Sequence, residues 1–381
     1  MRRTIVLLLA LCLVLPLVLP AMAAPPEVEG KSALLMDAAT GTVLYEKNAH
    51  QMLPPASVTK VMTMLLIMEA IDSGKIGWGD TVTASEAAAA KGGSQIYLKV
   101  GETMSVSDLV KSIAVSSAND AACAMAEHIA GSEGAFVAQM NQRAGQLGME
   151  HTHFVNCTGL DDEPEAQQHL TCAYDIALMS RQLLLHHPDI KKYTTIWMDT
   201  IRDGSFGLAN TNKMVRFYAG ATGLKTGFTA KAGYCLSASA QRDGMELIAV
   251  VMGGESSQQR FAACKQMLDY GFANFALVAP ETQPASVAVK LGTQDQVAAV
   301  PAEDVRLLVE KQQRGDVTVQ VQLEESVDAP VSQGQRLGTM TVRSGQQILA
   351  QVPMVAQDGV PRLSWWQIFG RVLRQIVMGK Q

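Results

Sequence analysis

The chain has 381 residues, 48% of them hydrophobic, and a mean hydropathy of +0.10, so it can bury the core of one large domain or of two ordinary ones. Its formal net charge is -5, and this lack of a basic excess argues against nucleic acid as a partner.

The first predicted element is an export signal. Arg2 and Arg3 precede a long uncharged apolar run, and the small-x-small pattern Ala21-Met22-Ala23 follows it. This arrangement is typical of a secretory signal peptide, which we place at residues 1–23. An uncleaved anchor is the alternative, but the prolines and small residues near the end of the run favour cleavage. We therefore expect an exported protein.

The cysteines give no sign of a disulfide framework. One of the six, Cys12, lies in the predicted signal. The odd number that remains and its irregular spacing predict buried free thiols. These are Cys123, Cys157, Cys172, Cys235 and Cys264.

The region 24–277 is predicted to form one α+β domain. Two short strands are expected over Ser32–Tyr45, and helices dominate from Pro55 to about His187. Three strand patterns follow between Thr222 and Met252, two of them forming a hairpin, and a closing helix is expected over Phe261–Phe275. This order favours an antiparallel sheet packed by helices over a regular βαβ series.

The composition changes near Val278–Pro284. Beyond it, apolar and polar residues alternate, as in Val317, Val319 and Val321, which predicts a small all-β domain over residues 284–360.

The last segment, residues 364–381, has the pattern of an amphipathic helix. It carries Trp365, Trp366 and Phe369 on one side and arginines on the other. The run is too short and too charged to span a bilayer, but it fits a helix lying in a membrane interface. A helix docked on the protein's own surface is the alternative. A tryptophan-rich, basic segment in an acidic protein favours the membrane.

The first candidate for chemistry is Ser57-Val58-Thr59-Lys60. On a helix this spacing puts the serine and the lysine on one face. A serine hydroxyl is a weak nucleophile until a base takes its proton, and a lysine can be that base when its pKa falls. The alternative is structural, with Ser57 as a helix cap and Lys60 reaching to solvent.

Two further motifs have a structural and a functional interpretation. Ser117-Ala118-Asn119 interrupts an apolar segment, either as a helix cap or as a loop that presents a hydroxyl and a carboxamide. Lys225-Thr226-Gly227 lies in a strand pattern, either at an exposed hairpin edge or beside a ligand, since a strand glycine often marks close approach of a ligand backbone.

Taken together, these motifs resemble the S-x-x-K, S-x-N and K-T-G set of penicillin-binding proteins and class A β-lactamases, with alanine in place of the usual aspartate of the second motif. The similarity runs from about residue 30 to the end of the chain. It is strongest to low-molecular-weight penicillin-binding proteins, which are serine-type D-alanyl-D-alanine carboxypeptidases. It is carried by MLPPASVTKVMT, VSSANDA, NTNKMV, GLKTGFTAKAGYC, the β domain and the amphipathic tail.

This resemblance implies a role for each catalytic candidate. Ser57 would be the acylated nucleophile and Lys60 its general base. Ser117, helped by Asn119, would pass a proton to the leaving amine. Lys225 would keep Lys60 neutral by repulsion and would attract the terminal carboxylate of the substrate.

The resemblance also implies the substrate contacts. Thr226 and Thr229 would hydrogen-bond the substrate terminus beside Gly227, and Arg260 would lie near the carboxylate pocket. The backbone N–H groups of Ser57 and Phe228 would form the oxyanion hole. Some members carry histidine where this chain has Phe228, which changes the polarity of the pocket.

The expected activity is removal of the terminal D-alanine from pentapeptide stems of peptidoglycan, with β-lactams as inhibitors, on the outer face of the cytoplasmic membrane. A D,D-endopeptidase that cuts crosslinks shares the motifs, and an inactive β-lactam or cell-wall sensor is a further alternative. A class A β-lactamase would carry an E-x-x-L-N loop, which the stretch with Glu163 and Glu165 lacks.

We predict no cofactor and no metal. His151 and His153 are spaced as metal ligands could be, but the sequence offers no evident third ligand at a suitable spacing, and loop histidines are the simpler interpretation.

Overall fold

The computed structural model describes residues 24–162, 164–281 and 283–378, with side chains described as far as residue 374. The predicted signal peptide at residues 1–23 lies outside the described residues.

The helices are concentrated in the first two thirds of the chain, as predicted. The α-helices are α1 (Lys60–Asp72), α2 (Glu86–Ala89), α3 (Val106–Ser116), α4 (Asn119–Ala130), α5 (Glu133–Gln146), α6 (Ala173–His186), α7 (Lys191–Thr194), α8 (Met214–Phe217), α9 (Ser257–Asn274) and α10 (Trp365–Met378). Short 3-10 helices occur at Ala56–Thr59, Pro164–Gln168, Pro188–Ile190 and Lys311–Asp316.

The strands fall into an early and a late group. The early group is β1 (Ser32–Asp37), β2 (Val43–Lys47), β3 (Thr81–Thr83), β4 (Thr103–Ser105), β5 (Met198–Ile201), β6 (Phe206–Ala209), β7 (Ala221–Thr229), β8 (Gly233–Arg242) and β9 (Met245–Gly254). The late group is β10 (Phe275–Val278), β11 (Ala285–Lys290), β12 (Gln296–Pro301), β13 (Leu307–Glu310), β14 (Val317–Leu323), β15 (Ser326–Asp328), β16 (Arg336–Ser344) and β17 (Gln347–Ala356).

A five-stranded antiparallel sheet, in the order β2-β1-β9-β8-β7, organises the first part of the chain. Its strand β9 is buried along its whole length. Ile248 and Val250 face a core cluster that includes residues of α1 and α6, whereas Leu247 and Ala249 face a second cluster with α9. Helices therefore cover both faces of the sheet, which confirms the predicted α+β class.

Helix α1 lies in the middle of this core. Residues on every side of it are buried, among them Met62, Leu65 and Met68. A helix that is apolar all round is stable only when other elements surround it. This placement fixes the start of α1, where Lys60 lies, in a site that water does not reach.

Most local predictions agree with the structure. The strands around the turn at residues 39–41 and the hairpin of β8 and β9 form as predicted. The closing helix begins earlier than predicted, at Ser257, because the Ser256 side chain caps it by accepting a hydrogen bond from Gln259 N at 3.1 Å. The five cysteines beyond the signal are buried and free, as expected.

The late strands form a β domain. Six of them make one sheet in the order β14-β16-β17-β12-β11-β15, around an apolar cluster of its own. Strand β10 pairs with β13 in a separate two-stranded sheet, and the predicted domain limit at residue 277 falls inside β10.

Helix α10 follows this domain. Its side chains Trp365 and Trp366 are 71% and 77% exposed, and Phe369 is 51% exposed. Among the described residues, no helix has the length and apolar character needed to cross a bilayer.

Candidate active site

Ser57 lies in the 3-10 turn Ala56–Thr59, which leads directly into α1. The turn is entered through Ala56, whose φ of +48° is a left-handed conformation that costs a residue with a side chain about 1–2 kcal/mol. The residues that immediately precede the turn and α1 are Pro55 and Thr59, and neither makes a capping hydrogen bond through its side chain. Ser57 is therefore held by the backbone and is not a helix cap.

Lys60 is the first residue of α1 and is fully buried. Its Nζ donates to Ser57 Oγ at 3.0 Å and to the carbonyl oxygen of Thr158 at 2.7 Å. These two contacts aim the amine at the serine hydroxyl. The geometry that the S-x-x-K spacing predicts is present, and the alternative in which Lys60 reaches to solvent is wrong.

Burial lowers the pKa of Lys60 to about 7, while the charges of Cys157 and Asp120 act in the opposite direction. Desolvation is therefore the main cause of the lowered pKa, ahead of the repulsion from Lys225 that the resemblance implied. An amine with this pKa is neutral in a large fraction of molecules near pH 7 and can accept a proton.

Lys225, in β7, is also buried, and its Nζ donates to the carbonyl oxygen of Thr226 at 2.9 Å. Burial lowers the pKa of Lys225 well below its ordinary value, and the charges of Lys60 and Arg260 lower it further. A bound anion would reverse this effect, since a carboxylate stabilises the charged form of a neighbouring lysine.

A loop at residues 156–160, which no sequence motif predicted, completes the surroundings of Lys60. Asn156 Oδ1 accepts from Thr158 N at 3.1 Å and from Gly159 N at 2.7 Å, so one side chain organises the loop. A Cβ atom at Gly159 would lie 1.9 Å from the carbonyl oxygen of Ala56. Only glycine lets the loop pack this closely against the 3-10 turn that contains Ser57 (the serine turn).

Ser117 and Asn119 lie at the junction of α3 and α4. Ser117 ends α3 with a left-handed φ of +66°, and Asn119 is the first residue of α4. Asn119 Nδ2 donates to the carbonyl oxygen of Gly92 at 2.8 Å. Within the described part of the chain, Ser117 Oγ and Asn119 Oδ1 are buried without a hydrogen-bond partner. Burying a polar atom without a hydrogen-bond partner costs free energy, and a ligand that supplied the partner would remove this cost.

Contacts between backbones and side chains bring this junction to the other motifs. Thr211 N donates to the carbonyl oxygen of Val115 at 3.1 Å, two residues before Ser117, and Thr226 Oγ1 donates to Thr211 Oγ1 at 2.7 Å. The K-T-G strand is thus tied to the end of α3. Thr211 lies in the NTNKMV segment, for which the sequence analysis named no site residue.

Gly227 is the point where β7 meets the serine turn. A Cβ atom there would lie 2.6 Å from the carbonyl oxygen of Pro55 and 3.1 Å from Ser57 N. The strand therefore runs directly beside Ser57. It is the edge strand of the sheet, but Lys225 is buried, so the alternative of an exposed lysine on a hairpin edge is wrong.

The remaining candidates surround the end of β7. Phe228 is 53% exposed and packs on Tyr234, with ring centroids 4.3 Å apart. Thr229 Oγ1 accepts from Ala232 N at 3.0 Å. Arg260 is buried, and its Nη1 donates to the carbonyl oxygens of Gly227 at 2.8 Å and of Cys235 at 3.2 Å. Arg260 thus supports the K-T-G strand directly.

Asp120 is a further buried group next to the site. Its carboxylate accepts backbone hydrogen bonds from Ile96 at 3.1 Å and Leu98 at 3.0 Å, and it holds the segment that follows Gly92. Asn119 binds that segment as well. Asp120 lies beside the second motif in sequence, and this proximity is the signal by which it could have been found.

Two family profiles match the chain. The profile described as D-alanyl-D-alanine carboxypeptidase matches residues 20–256, and the profile of the C-terminal domain of penicillin-binding protein 5 matches residues 272–362. The chain is 42% identical over 357 residues to D-alanyl-D-alanine carboxypeptidase DacF of Bacillus subtilis, covering 91% of this chain and 89% of that relative.

Solved structures agree with this assignment. Penicillin binding protein 5 from Haemophilus influenzae superposes with a TM-score of 0.76 at 30% identity, covering 89% of this chain and all of the other. The ampicillin-bound form of penicillin-binding protein D2 from Listeria monocytogenes gives a TM-score of 0.60 at 30% identity over 65% of this chain and 100% of that one. With both profiles, the three motifs and this fold in agreement, the chain belongs to the D-alanyl-D-alanine carboxypeptidase family of serine hydrolases.

Proposed function

We propose that this chain removes the terminal D-alanine from pentapeptide stems of peptidoglycan through an acyl-enzyme on Ser57. The observation that carries the proposal is the pair formed by Ser57 Oγ and the buried Lys60 Nζ, 3.0 Å apart. A neutral amine in this position accepts the serine proton as the hydroxyl attacks.

In the first half of the reaction, Ser57 Oγ attacks the carbonyl carbon of the penultimate D-alanine. Lys60 takes the serine proton, and Ser117 relays it: the Ser117 hydroxyl gives its own proton to the departing amine of the terminal D-alanine and receives the one held by Lys60. The hydroxyl of Ser117, buried and unpartnered within the described residues, supports this role. In the second half, water hydrolyses the ester and restores Ser57.

The oxyanion is assigned to the N–H groups of Ser57 and Phe228. The close packing of Gly227 against Ser57 N supports this pairing, because it brings the two segments side by side. Each such donor contributes roughly 3 kcal/mol to stabilising a transition state.

The terminal carboxylate of the substrate is assigned to Lys225, Thr226 and Thr229. The buried Lys225 supports this assignment, since an anion would pair with an otherwise desolvated cation. Arg260 contributes charge from behind the strand and is a positioning residue, because its Nη1 is already used on Gly227 and Cys235.

β-Lactams are the expected inhibitors. Their strained amide presents a carbonyl to Ser57 in the place of the substrate peptide bond, and ring opening leaves no amine to depart. Penicillin-binding proteins bind these compounds, as the ampicillin-bound relative illustrates. The extra β domain and the carboxypeptidase relatives favour carboxypeptidase action over the endopeptidase and sensor alternatives.

The direct test is release of D-alanine from diacetyl-Lys-D-Ala-D-Ala by the purified protein, with Ser57→Ala as the matched inactive control. We expect release by wild type, none by Ser57→Ala, and loss of release after treatment with benzylpenicillin. Failure of wild type to release D-alanine, with the protein folded and acylated by penicillin, would contradict the carboxypeptidase assignment. Cleavage of crosslinked dimers in preference would favour the endopeptidase.

We also propose that the exported protein binds the outer face of the cytoplasmic membrane through α10. The exposed Trp365, Trp366 and Phe369 support an orientation in which this face enters the lipid interface. The sequence pattern of residues 1–23 supports export.

Vesicle sedimentation tests the membrane proposal. A chain that ends before Ser364 is expected to lose binding to anionic phospholipid vesicles while it keeps D-alanine release, which serves as the folding control. Equal binding by the truncated and full chains would rule out α10 as the attachment site.

A further inference from the structure

Two histidines and a cysteine from distant parts of the chain meet on the catalytic domain, outside the site described above. His50 follows β2, His151 follows α5, and Cys172 is the residue that caps α6. Their potential ligand atoms all lie within 4.8 Å of one another. His151 and His153 have no evident third ligand in the sequence, because His50 and Cys172 are distant from them in the chain.

We propose that His50, His151 and Cys172 form a binding site for a zinc-type divalent cation, in addition to the carboxypeptidase site. Two imidazole nitrogens and one thiolate are ligands that Zn²⁺ prefers, whereas Mg²⁺ and Ca²⁺ prefer oxygen. A fourth position is left for solvent, since His50 is exposed beside an open surface cavity.

The distances fit such an ion after a small adjustment. Zn²⁺ holds nitrogen at about 2.0–2.1 Å and sulfur at about 2.3 Å, so tetrahedral ligands stand about 3.3–3.6 Å apart. The ligand atoms lie within 4.8 Å of one another, so each pair needs to approach by at most about 1.5 Å. The exposed side chain of His50 can supply that movement, whereas Cys172 is buried.

The backbone around the site is already fixed, which lowers the cost of binding. Asp175 Oδ2 accepts from His151 N at 2.9 Å, and Asp175 N donates to Cys172 Sγ at 3.4 Å, so one residue links two of the three ligands. Tyr174 N donates to the carbonyl oxygen of Ala49 at 3.0 Å, which ties in the third segment. A second layer of this kind orients ligands before the metal arrives.

Coordination also requires the thiol to lose its proton. A cysteine thiol is ordinarily protonated at neutral pH, so the cation replaces that proton, which passes to the buffer. One sulfur–hydrogen bond is broken and one metal–sulfur bond is formed, without any oxidation.

The location indicates a structural effect. The segment that carries His50 continues to Leu53, which forms a backbone bridge with Thr171, and then into the turn of Ser57. A bound cation would join this segment to the start of α6. Its three ligands are not groups to which the carboxypeptidase reaction is assigned, so the proposal does not depend on the assigned activity.

The test is titration of the tag-free full chain, freed of metal by EDTA and dialysis, with ZnCl2 in a calorimeter. We expect one Zn²⁺ per chain, release of about one proton judged from buffers of different ionisation enthalpy, and a higher melting temperature with zinc. Co²⁺ in place of Zn²⁺ is expected to give a thiolate charge-transfer absorption band.

Variants make the outcome decisive. His50→Gln changes an exposed side chain and is expected to abolish the Co²⁺ band and the zinc-dependent rise in melting temperature, as are His151→Gln and Cys172→Ser. His186→Gln, at another exposed histidine, is the matched control and is expected to behave as wild type. Acylation by a fluorescent penicillin verifies folding of each variant. Absence of zinc binding by wild type, or equal binding by His50→Gln, would overturn the proposal.

Discussion

Lys60→Met is expected to lower the rate of Ser57 acylation by about 10²–10⁴-fold, the usual contribution of a general base. Methionine keeps the length and apolar stem of lysine but cannot take a proton. In wild type, the acylation rate is expected to rise with pH through about 7 and then level off, because Lys60 acts as a base only when it is neutral. Stopped-flow labelling with a fluorescent penicillin measures both effects.

The same substitution is expected to stabilise the fold. A pKa lowered from 10.5 to about 7 corresponds to roughly 5 kcal/mol for holding a buried ammonium group below pH 7. Methionine removes that cost but leaves the carbonyl oxygen of Thr158 without its donor, a loss of about 1–3 kcal/mol. The net gain in the free energy of unfolding is expected to be about 2–4 kcal/mol at pH 6.

The sign of the pH dependence follows from proton binding. Between pH 7 and 10.5 the unfolded chain holds a proton on Lys60 that the native state has lost, so this group makes wild type more stable as pH rises. The advantage of Lys60→Met is therefore expected to shrink between pH 6 and pH 9. Urea unfolding at both pH values measures it, with Lys75→Met at an exposed lysine as the matched control. A Lys60→Met protein less stable than wild type at pH 6 would contradict this account.

The site shows which features a sequence can predict. Ser57 and Lys60 could be predicted because a spacing of three residues places a nucleophile and a base on one face of a helix. Lys225 could be predicted because a lysine and a glycine lie close together in a strand pattern. The residues that these side chains contact in the structure could not be predicted in this way. Lys60 Nζ donates to the backbone carbonyl of Thr158, a residue 98 positions away, and a carbonyl leaves no signature in the side-chain sequence.

The fold, too, has features that the sequence predicts and contacts that it does not. The hairpin of β8 and β9 was predictable, since Asp243-Gly244 is a turn signal between two apolar runs. Arg260 was expected near a carboxylate pocket, but the sequence did not predict the contacts of its Nη1, which donates to the carbonyl oxygens of Gly227 and Cys235. Helical spacing gives the side of α9 on which Arg260 lies, whereas its partners depend on how α9 packs on β8 and β9.

Gly227→Ala is expected to lower the acylation rate by about 10²-fold or more, because a displacement of about 1 Å at a reacting group has this effect. The added Cβ would lie 2.6 Å from the carbonyl oxygen of Pro55, 3.1 Å from Ser57 N and 3.0 Å from Val58 N. All three are backbone atoms, so no side chain can rotate away. Either β7 or the serine turn has to move.

The expected cost in stability is about 1–3 kcal/mol, as for other insertions into packed interiors, so the protein should stay folded. Gly207→Ala is the matched control: it too is a strand glycine, in β6, but a Cβ there meets no atom within 4 Å. Urea unfolding and penicillin labelling of both variants separate the effects. A Gly227→Ala protein that acylates at the wild-type rate would show that β7 can retreat without harm. The sequence suggested that Gly227 makes room for a substrate backbone. The predicted loss of acylation rate in Gly227→Ala would establish that Gly227 is needed, before any substrate binds, for β7 to pack against the turn that carries Ser57.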